Sequence, residues 1–239
     1  MKKKKLVVFS GAGLDRESGI LTFRDCKDGL WNNYKIDEVA TPEGWKKNRE
    51  KVLDFYNERR RELPNVEPNA AHFALAELEE EFDVSHLTQN VSDLLERGGC
   101  DNVIHLHGEL TKSCDSMVKK YKYYIGYNDI PLGVKCPETN SQLRPDIVWF
   151  DEMPYRVDEG YEAVYHADVL LIVGTSLQIS YTLDMLNNVR RTDSDNPCRI
   201  IYIDPSPKHY LNNYGLNVEY VNKTAVEGVR EIVDELLNK

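Results

Sequence analysis

A chain of 239 residues, 41% apolar and 29% charged, is long enough for one sizeable core with a small lobe attached. Its net charge of −10 argues against unaided nucleic-acid binding and suits a partner that brings positive charge, such as a lysine-bearing tail. No apolar stretch of about 18 residues is present to cross a membrane, and MKKKK leads only into the short run Leu6 to Phe9, so no membrane contact and a cytoplasmic setting are expected.

The first predicted element is a strand over KLVVFS that runs into SGAG. Gly11 and Gly13 let the backbone turn sharply and approach a ligand, and a following helix N-terminus would stabilise phosphate charge. The dinucleotide fingerprint wants a third glycine where Arg16 stands, and the next glycine is Gly19. Taken alone, the loop reads equally as a tight turn or a cofactor site. Residues 31–75 read as helices, notably NREKVLDFYNERRREL, on which Tyr56 and Arg59 lie three apart and share a face. The plain reading of Arg59, Arg60 and Arg61 is a solvated charged face. AAHFALAELEEEF has helical periodicity, and VSHLTQ and NVIHLHG are short apolar runs fit for buried strands. Residues 111–144 carry little periodicity and many turn-formers. DIVWF, DVLLIVGTS and RIIYID are further strands, and AVEGVREIVDELLNK closes the chain as an amphipathic helix.

This alternation predicts an α/β fold: a Rossmann-like doubly wound parallel sheet with a second, smaller lobe formed by insertions. The large lobe takes approximately 1–30, 76–110 and 145–239, and the small lobe 31–75 and 111–144. Ligands of such sheets sit at the carboxyl ends of the strands, where SGAG, TQN, HG, GTS and DPS fall. The five cysteines are odd in number and irregularly spaced, so free, mostly buried thiols are expected.

In chain order, GAGLDRESGILTFRD, TQNVSDLLERGG, HLHGEL, LRPDIVWFDEMP and IVGTSL resemble the signatures of the sirtuin family, over nearly the whole chain. The resemblance implies an NAD-dependent protein-lysine deacylase acting on acylated lysines of proteins or peptides. NAD is consumed, and the products are free lysine, nicotinamide and O-acyl-ADP-ribose. By the same resemblance the loop carrying Gly11, Ala12, Gly13, Gly19 and Ile20 wraps the pyrophosphate, and Phe23 and Arg24 close over the nicotinamide. Gln89 and Asn90 hold the nicotinamide ribose and an ordered water, within a cofactor-binding stretch that includes Val91 and Ser92. Gly174, Thr175 and Ser176 meet the adenosine ribose and phosphate, Asp204 the adenosine hydroxyls, and Ala225 the adenine.

His107 matches the general base, a role suited to an imidazole near neutrality; without the resemblance it reads as a strand-end histidine satisfied by backbone. His105 and His72 read as structural. The family's peptide substrate adds as a strand beside IVWF, with the Val148 backbone accepting the lysine N–H and Phe150 lining the acyl-lysine tunnel. FYNERRREL and ATPEGW resemble the class III bacterial subgroup, which implies that Arg59 and Tyr56 hold the distal carboxylate of succinyl-, malonyl- or glutaryl-lysine. Competing readings are an NAD glycohydrolase or ADP-ribosyltransferase on the same fold, or a non-enzymatic module that binds NAD or ADP-ribose.

The chain departs from the family pattern in four places. The family's two CxxC pairs read CDSM and CPET, so Cys114 and Cys136 have Met117 and Thr139 where partners should stand, and no zinc is expected. The aspartate of the second signature is Ser92, which predicts weaker NAD binding or slower nicotinamide cleavage. A serine of the first loop is Asp15, which adds negative charge near phosphates. A ribose-binding asparagine is replaced by Tyr202.

Overall fold

From Leu6 onward β1 (Lys4–Ser10) is buried, as an apolar run within a parallel sheet must be. The computed structural model describes residues 2–20, 30–31, 34–190 and 196–238, those at 30 and 31 by backbone alone. After β1 come α1 (Ala12–Asp15), the short ribbon β2 (Leu30–Trp31) and β3 (Tyr34–Lys35), and the helices α2 (Ile36–Val39), α3 (Pro42–Lys47), α4 (Arg49–Glu62) and α5 (Ala70–Glu77). The chain continues through β4 (Phe82–Thr88), α6 (Leu94–Arg97), β5 (Val103–His105), β6 (Gly108–Asp115), β7 (Lys122–Tyr124) and β8 (Leu143–Ile147). It ends with α7 (Val157–His166), β9 (Val169–Val173), α8 (Ser180–Asn187), β10 (Arg199–Ile203), β11 (Val218–Val221) and α9 (Ala225–Leu237).

Six strands form one parallel sheet in the order β11-β10-β9-β1-β4-β5. Alternation along β1 sends Leu6 and Val8 to one face and Val7 and Phe9 to the other. The first pair packs with Ala71, Leu75, Val229 and Ile232 of α5 and α9, the second with Val164, Met185 and Leu186 of α7 and α8. The sheet is therefore doubly wound, as the alternation predicts.

A second sheet, β7-β6-β8, is antiparallel. Its Leu110 and Ile147 share a third core with Val39, Val52, Leu53 and Phe55 of α2 and α4. Asn48 starts α4 by accepting the Lys51 N–H at 3.0 Å, a side-chain cap on one of the helix's orphan donors. DIVWF differs from its reading as one strand: β8 stops at Ile147. Beyond it the N–H groups turn elsewhere, Val148 to the His107 carbonyl at 2.9 Å and Phe150 to that of Ala40 at 3.0 Å. Among the described residues no helix is long and apolar enough to cross a membrane.

Candidate active site

β1 pairs with β4 on one side and β9 on the other, so the carboxyl ends of β1 and β9 flank the point where the strand order reverses and a crevice opens. Their loops touch backbone to backbone. Gly11 N–H donates to the Val173 carbonyl at 3.0 Å, and Gly13 N–H to that of Gly174 at 2.8 Å. A Cβ on Gly13 would lie 2.6 Å from Gly174 Cα, so only glycine permits this approach. Gly19, at φ +98°, differs: nothing lies within 4 Å of where its Cβ would be, and it lines a cavity of about 780 Å³.

That cavity collects most of the residues assigned from the sequence. Ala12, Gly19, Ile20, Gln89, Asn90, Val91, Ser92, His107, Tyr56, Arg59, Val148 and Phe150 all line it. Gly11, Gly13, Gly174, Thr175 and Ser176 belong to the two strand-end loops outside the lining. Asp204, buried just beyond β10, accepts the Ser206 N–H at 2.8 Å, and Ala225 opens α9 inside the first core. Tyr202 is fully buried and donates its hydroxyl to the Thr175 carbonyl at 2.5 Å. Phe23, Arg24 and Cys26 lie outside the described residues.

A buried carboxylate organises the cavity floor. Asn90 Nδ2 donates to Asp15 Oδ1 at 2.8 Å and to the Gly11 carbonyl at 3.1 Å, while Ser92 Oγ donates to Asp15 Oδ2 at 2.6 Å. His72 Nε2 lies 3.2 Å from the same Oδ1. Asp15 lines the same cavity; it is 3% exposed, and three side chains engage its carboxylate. Below, Ser10 Oγ donates to Thr88 Oγ1 at 2.9 Å, and Thr88 Oγ1 accepts the Asn90 N–H at 3.0 Å.

The two histidines of HLHG have different jobs. His105 lies 2.7 Å from Glu96 and 3.2 Å from the Asn90 carbonyl, bracing that loop. Burial pulls its pKa down, but the Glu96 carboxylate outweighs burial and leaves it raised. His107 Nδ1 is 3.1 Å from the Gln89 carbonyl, which can only accept, so Nδ1 carries the hydrogen. Loss of solvation lowers the His107 pKa to about 4 against that backbone bond, and the ring is neutral at physiological pH with its lone pair on Nε2. Tyr181 Oη sits 2.7 Å from that Nε2. Sequence reasoning missed Tyr181, because nothing in LQISYTL marks it.

The three consecutive arginines take three different environments. Arg61 is exposed and pairs with Asp129 at 2.9 Å, as a solvated face would have it. Arg60 is fully buried, donating to the Leu110 carbonyl and to Asn57 Oδ1, each at 2.6 Å. Arg59 is 9% exposed on the cavity wall, its guanidinium 3.5 Å from the Phe55 ring centroid. Burial lowers its pKa, but a guanidinium stays charged. Tyr56, one helical turn away, accepts the Trp149 indole N–H at 3.1 Å and is held protonated by burial. Arg144, stacked 3.2 Å over Trp149 and paired with Glu152 at 3.0 Å, buttresses this wall.

A model of the "Sir2 family" matches residues 11–181. The chain belongs to the Sir2 family. It is 46% identical to an "NAD-dependent protein deacylase" of Helicobacter pylori (strain ATCC 700392 / 26695), over 98% of each chain. A solved mutant of a Sir2 homologue in complex with ADP-ribose superposes with a TM-score of 0.82 at 36% identity, covering 99% of this chain and 93% of that one. A Sir2 homologue–NAD complex gives 0.81 at 35% identity, covering 99% and 90%.

For a Sir2-family chain the resemblance also implies a structural zinc, and the residues present do not fit one. Cys114 Sγ contacts the Pro145 carbonyl at 3.7 Å, and Cys136 Sγ lies 3.3 Å from Tyr123 Oη. Met117 is 79% exposed. The polar centre there is the fully buried Asp115, which accepts the Met117 and Val118 N–H groups at 2.7 Å, Ser141 Oγ at 2.8 Å, and Thr139 Oγ1. Among the described residues no three His, Cys, Asp or Glu side chains converge in this lobe.

Proposed function

We propose that this Sir2-family chain is an NAD-dependent protein-lysine deacylase that favours acyl groups ending in a carboxylate. One arrangement carries the reading: a single cavity is lined by the open glycine loop, a neutral His107, and the buried Tyr56–Arg59 pair. Gly19 leaves the cradle free of side chain, which fits a dinucleotide approaching the backbone closely. NAD, when bound, supplies the ADP-ribosyl acceptor for the acyl group, with nicotinamide as leaving group.

The chain's own residues divide the remaining work. Asn90 Nδ2 is engaged by Asp15 and the Gly11 carbonyl, so its Oδ1 is the atom that accepts from a water or sugar hydroxyl. His107 Nε2 takes a proton. The Val148 carbonyl receives no hydrogen bond among the described residues, which supports a role as acceptor for the N–H of a substrate added as a strand. Arg59 pairs with a distal carboxylate while Tyr56 donates its hydroxyl to it.

The test is incubation with NAD and matched acetyl-, succinyl- and malonyl-lysine peptides, following nicotinamide and peptide mass. Deacylation with equimolar nicotinamide, faster for the acidic acyl groups, is expected. Nicotinamide release without a change in peptide mass would indicate a glycohydrolase, and no release a binding module.

A further inference from the structure

The base of this cavity is not bare. His107 Nδ1 is committed to the Gln89 carbonyl, so Nε2 is the ring's one basic atom, and the Tyr181 phenol already covers it at 2.7 Å. A phenol has one hydrogen and two lone pairs. With Nε2 bare, the hydrogen between the two rings belongs to Tyr181, which keeps both lone pairs on its oxygen. Tyr181 and His107 both line the cavity, with their rings edge to face at 75°.

We propose that Tyr181 is a catalytic proton relay: its oxygen accepts the sugar hydroxyl's proton as it passes its own to His107 Nε2. This rests on the deacylase reading above. The step balances without any further reagent. The sugar O–H bond breaks and a new O–H bond forms on Tyr181, while the old phenol O–H bond breaks and an N–H bond forms on His107. Tyr181 ends as an intact phenol and His107 as an imidazolium whose Nδ1–H still meets the Gln89 carbonyl. The electron pair stays on the sugar oxygen, which becomes the nucleophile toward the acyl carbon.

The experiment compares wild type and Tyr181→Phe in single turnovers with NAD and an acyl-lysine peptide, reading deacylated peptide per nicotinamide released. The relay predicts a fall in that ratio of roughly 100-fold, the lower end of what general-base assistance contributes. A ratio equal to or above wild type would show that the phenol merely covers the base, and would overturn the relay. The ligand-free protein gives a second readout, the 15N resonance of His107 Nε2. It should move toward that of an unbonded lone pair in Tyr181→Phe while Nδ1–H stays put; an unmoved resonance also overturns the relay. If the phenylalanine variant does not fold, 3-fluorotyrosine at 181 keeps the hydroxyl and alters only its acidity. The ratio should then change, and an unchanged ratio counts against the relay. A wild-type protein that releases no nicotinamide with any acyl-lysine defeats the deacylase reading itself, and the relay with it, a result distinct from any difference between the variants.

Discussion

Ser92 donates its hydroxyl hydrogen to Asp15 Oδ2 at 2.6 Å, so two departures from the family pattern meet in one hydrogen bond. The chain has aspartate where the family carries a serine in the first loop, and serine where it carries the aspartate of the second signature. They amount to one exchange that keeps a carboxylate and a hydroxyl together. The carboxylate also receives Asn90 at 2.8 Å, which ties the exchange to a residue assigned to ribose and water.

Reversal of the exchange tests it. Asp15→Ser leaves Ser92, Asn90 and His72 without their shared acceptor, a loss of about 1.5–3 kcal/mol for hydrogen bonds to a charged group. Nicotinamide release should fall about 10- to 100-fold. Ser92→Asp presses two carboxylates together in a buried place and should cost at least as much. The double variant D15S/S92D should recover most of the loss, a coupling that a double-mutant cycle measures. A double variant as poor as the worse single one would refute the exchange.

Specificity should divide at Arg59. Arg59→Met removes the buried cation proposed to pair with a distal carboxylate and should lower kcat/KM for succinyl-lysine by about 2–4 kcal/mol, roughly 30- to 1000-fold. Acetyl-lysine, which lacks that carboxylate, should change only a few-fold. Tyr56→Phe should show the same preference with a smaller loss, since it deletes a neutral donor. Parallel kinetics on acetyl and succinyl peptides check this, and equal losses on both would remove the acidic-acyl reading.

The sheet was legible because its signals are local: Leu6 to Phe9 is an apolar run that sits buried on both faces, and α9 carries its stripe in sequence. The cavity residues of the glycine loop, Gln89 to Ser92 and His107 were legible because their motifs are contiguous. What escaped depends on partners far along the chain. Arg60 looked like part of a solvated run, yet its acceptor is the Leu110 carbonyl, 50 residues on. Tyr181 reaches His107 across 74 residues, and Asp15 reaches Ser92 across 77. Asp15 and Ser92 each showed as an anomaly alone; their pairing is a fact of the fold. The end of β8 was invisible for a related reason, because the N–H groups of Val148 and Phe150 are drawn to His107 and Ala40, residues of other segments.

His107 gives a pH prediction with a definite sign. Loss of solvation brings its pKa from 6.5 to about 4 in the fold, so between those values the unfolded chain holds a proton that the folded chain does not. Stability should therefore be highest above pH 6.5 with respect to this group and should decline as pH drops toward 4. The imidazole should be neutral, and competent as a base, throughout the physiological range. NMR titration of the histidine carbons in the ligand-free protein, with His107→Asn to assign the signal, should place His107 below about 5. Titration at 6.5 or above would contradict the burial that sets its state.

The small lobe should stand without metal because Asp115 does there what a metal site would otherwise do: it gathers chain segments around one charge. Its carboxylate joins Met117 and Val118, just past β6, to Thr139 and Ser141 ahead of β8, so the two flanks of the sheet close on it. Desolvation raises the pKa of a carboxyl so placed, and the converging donors more than reverse this, holding it well below the usual range. Asp115→Ala strands several donors at once, in part-buried positions, and should lower unfolding stability by about 2–4 kcal/mol, with Asp115→Asn intermediate because an amide oxygen still accepts. Chelator treatment of the purified protein should leave its melting temperature unchanged, and elemental analysis should find zinc well below one per chain. One tightly held zinc per chain, or a chelator-induced fall in Tm as large as that of Asp115→Ala, would show that the thiols of Cys114 and Cys136 rearrange onto a metal and that the Asp115 cluster is secondary.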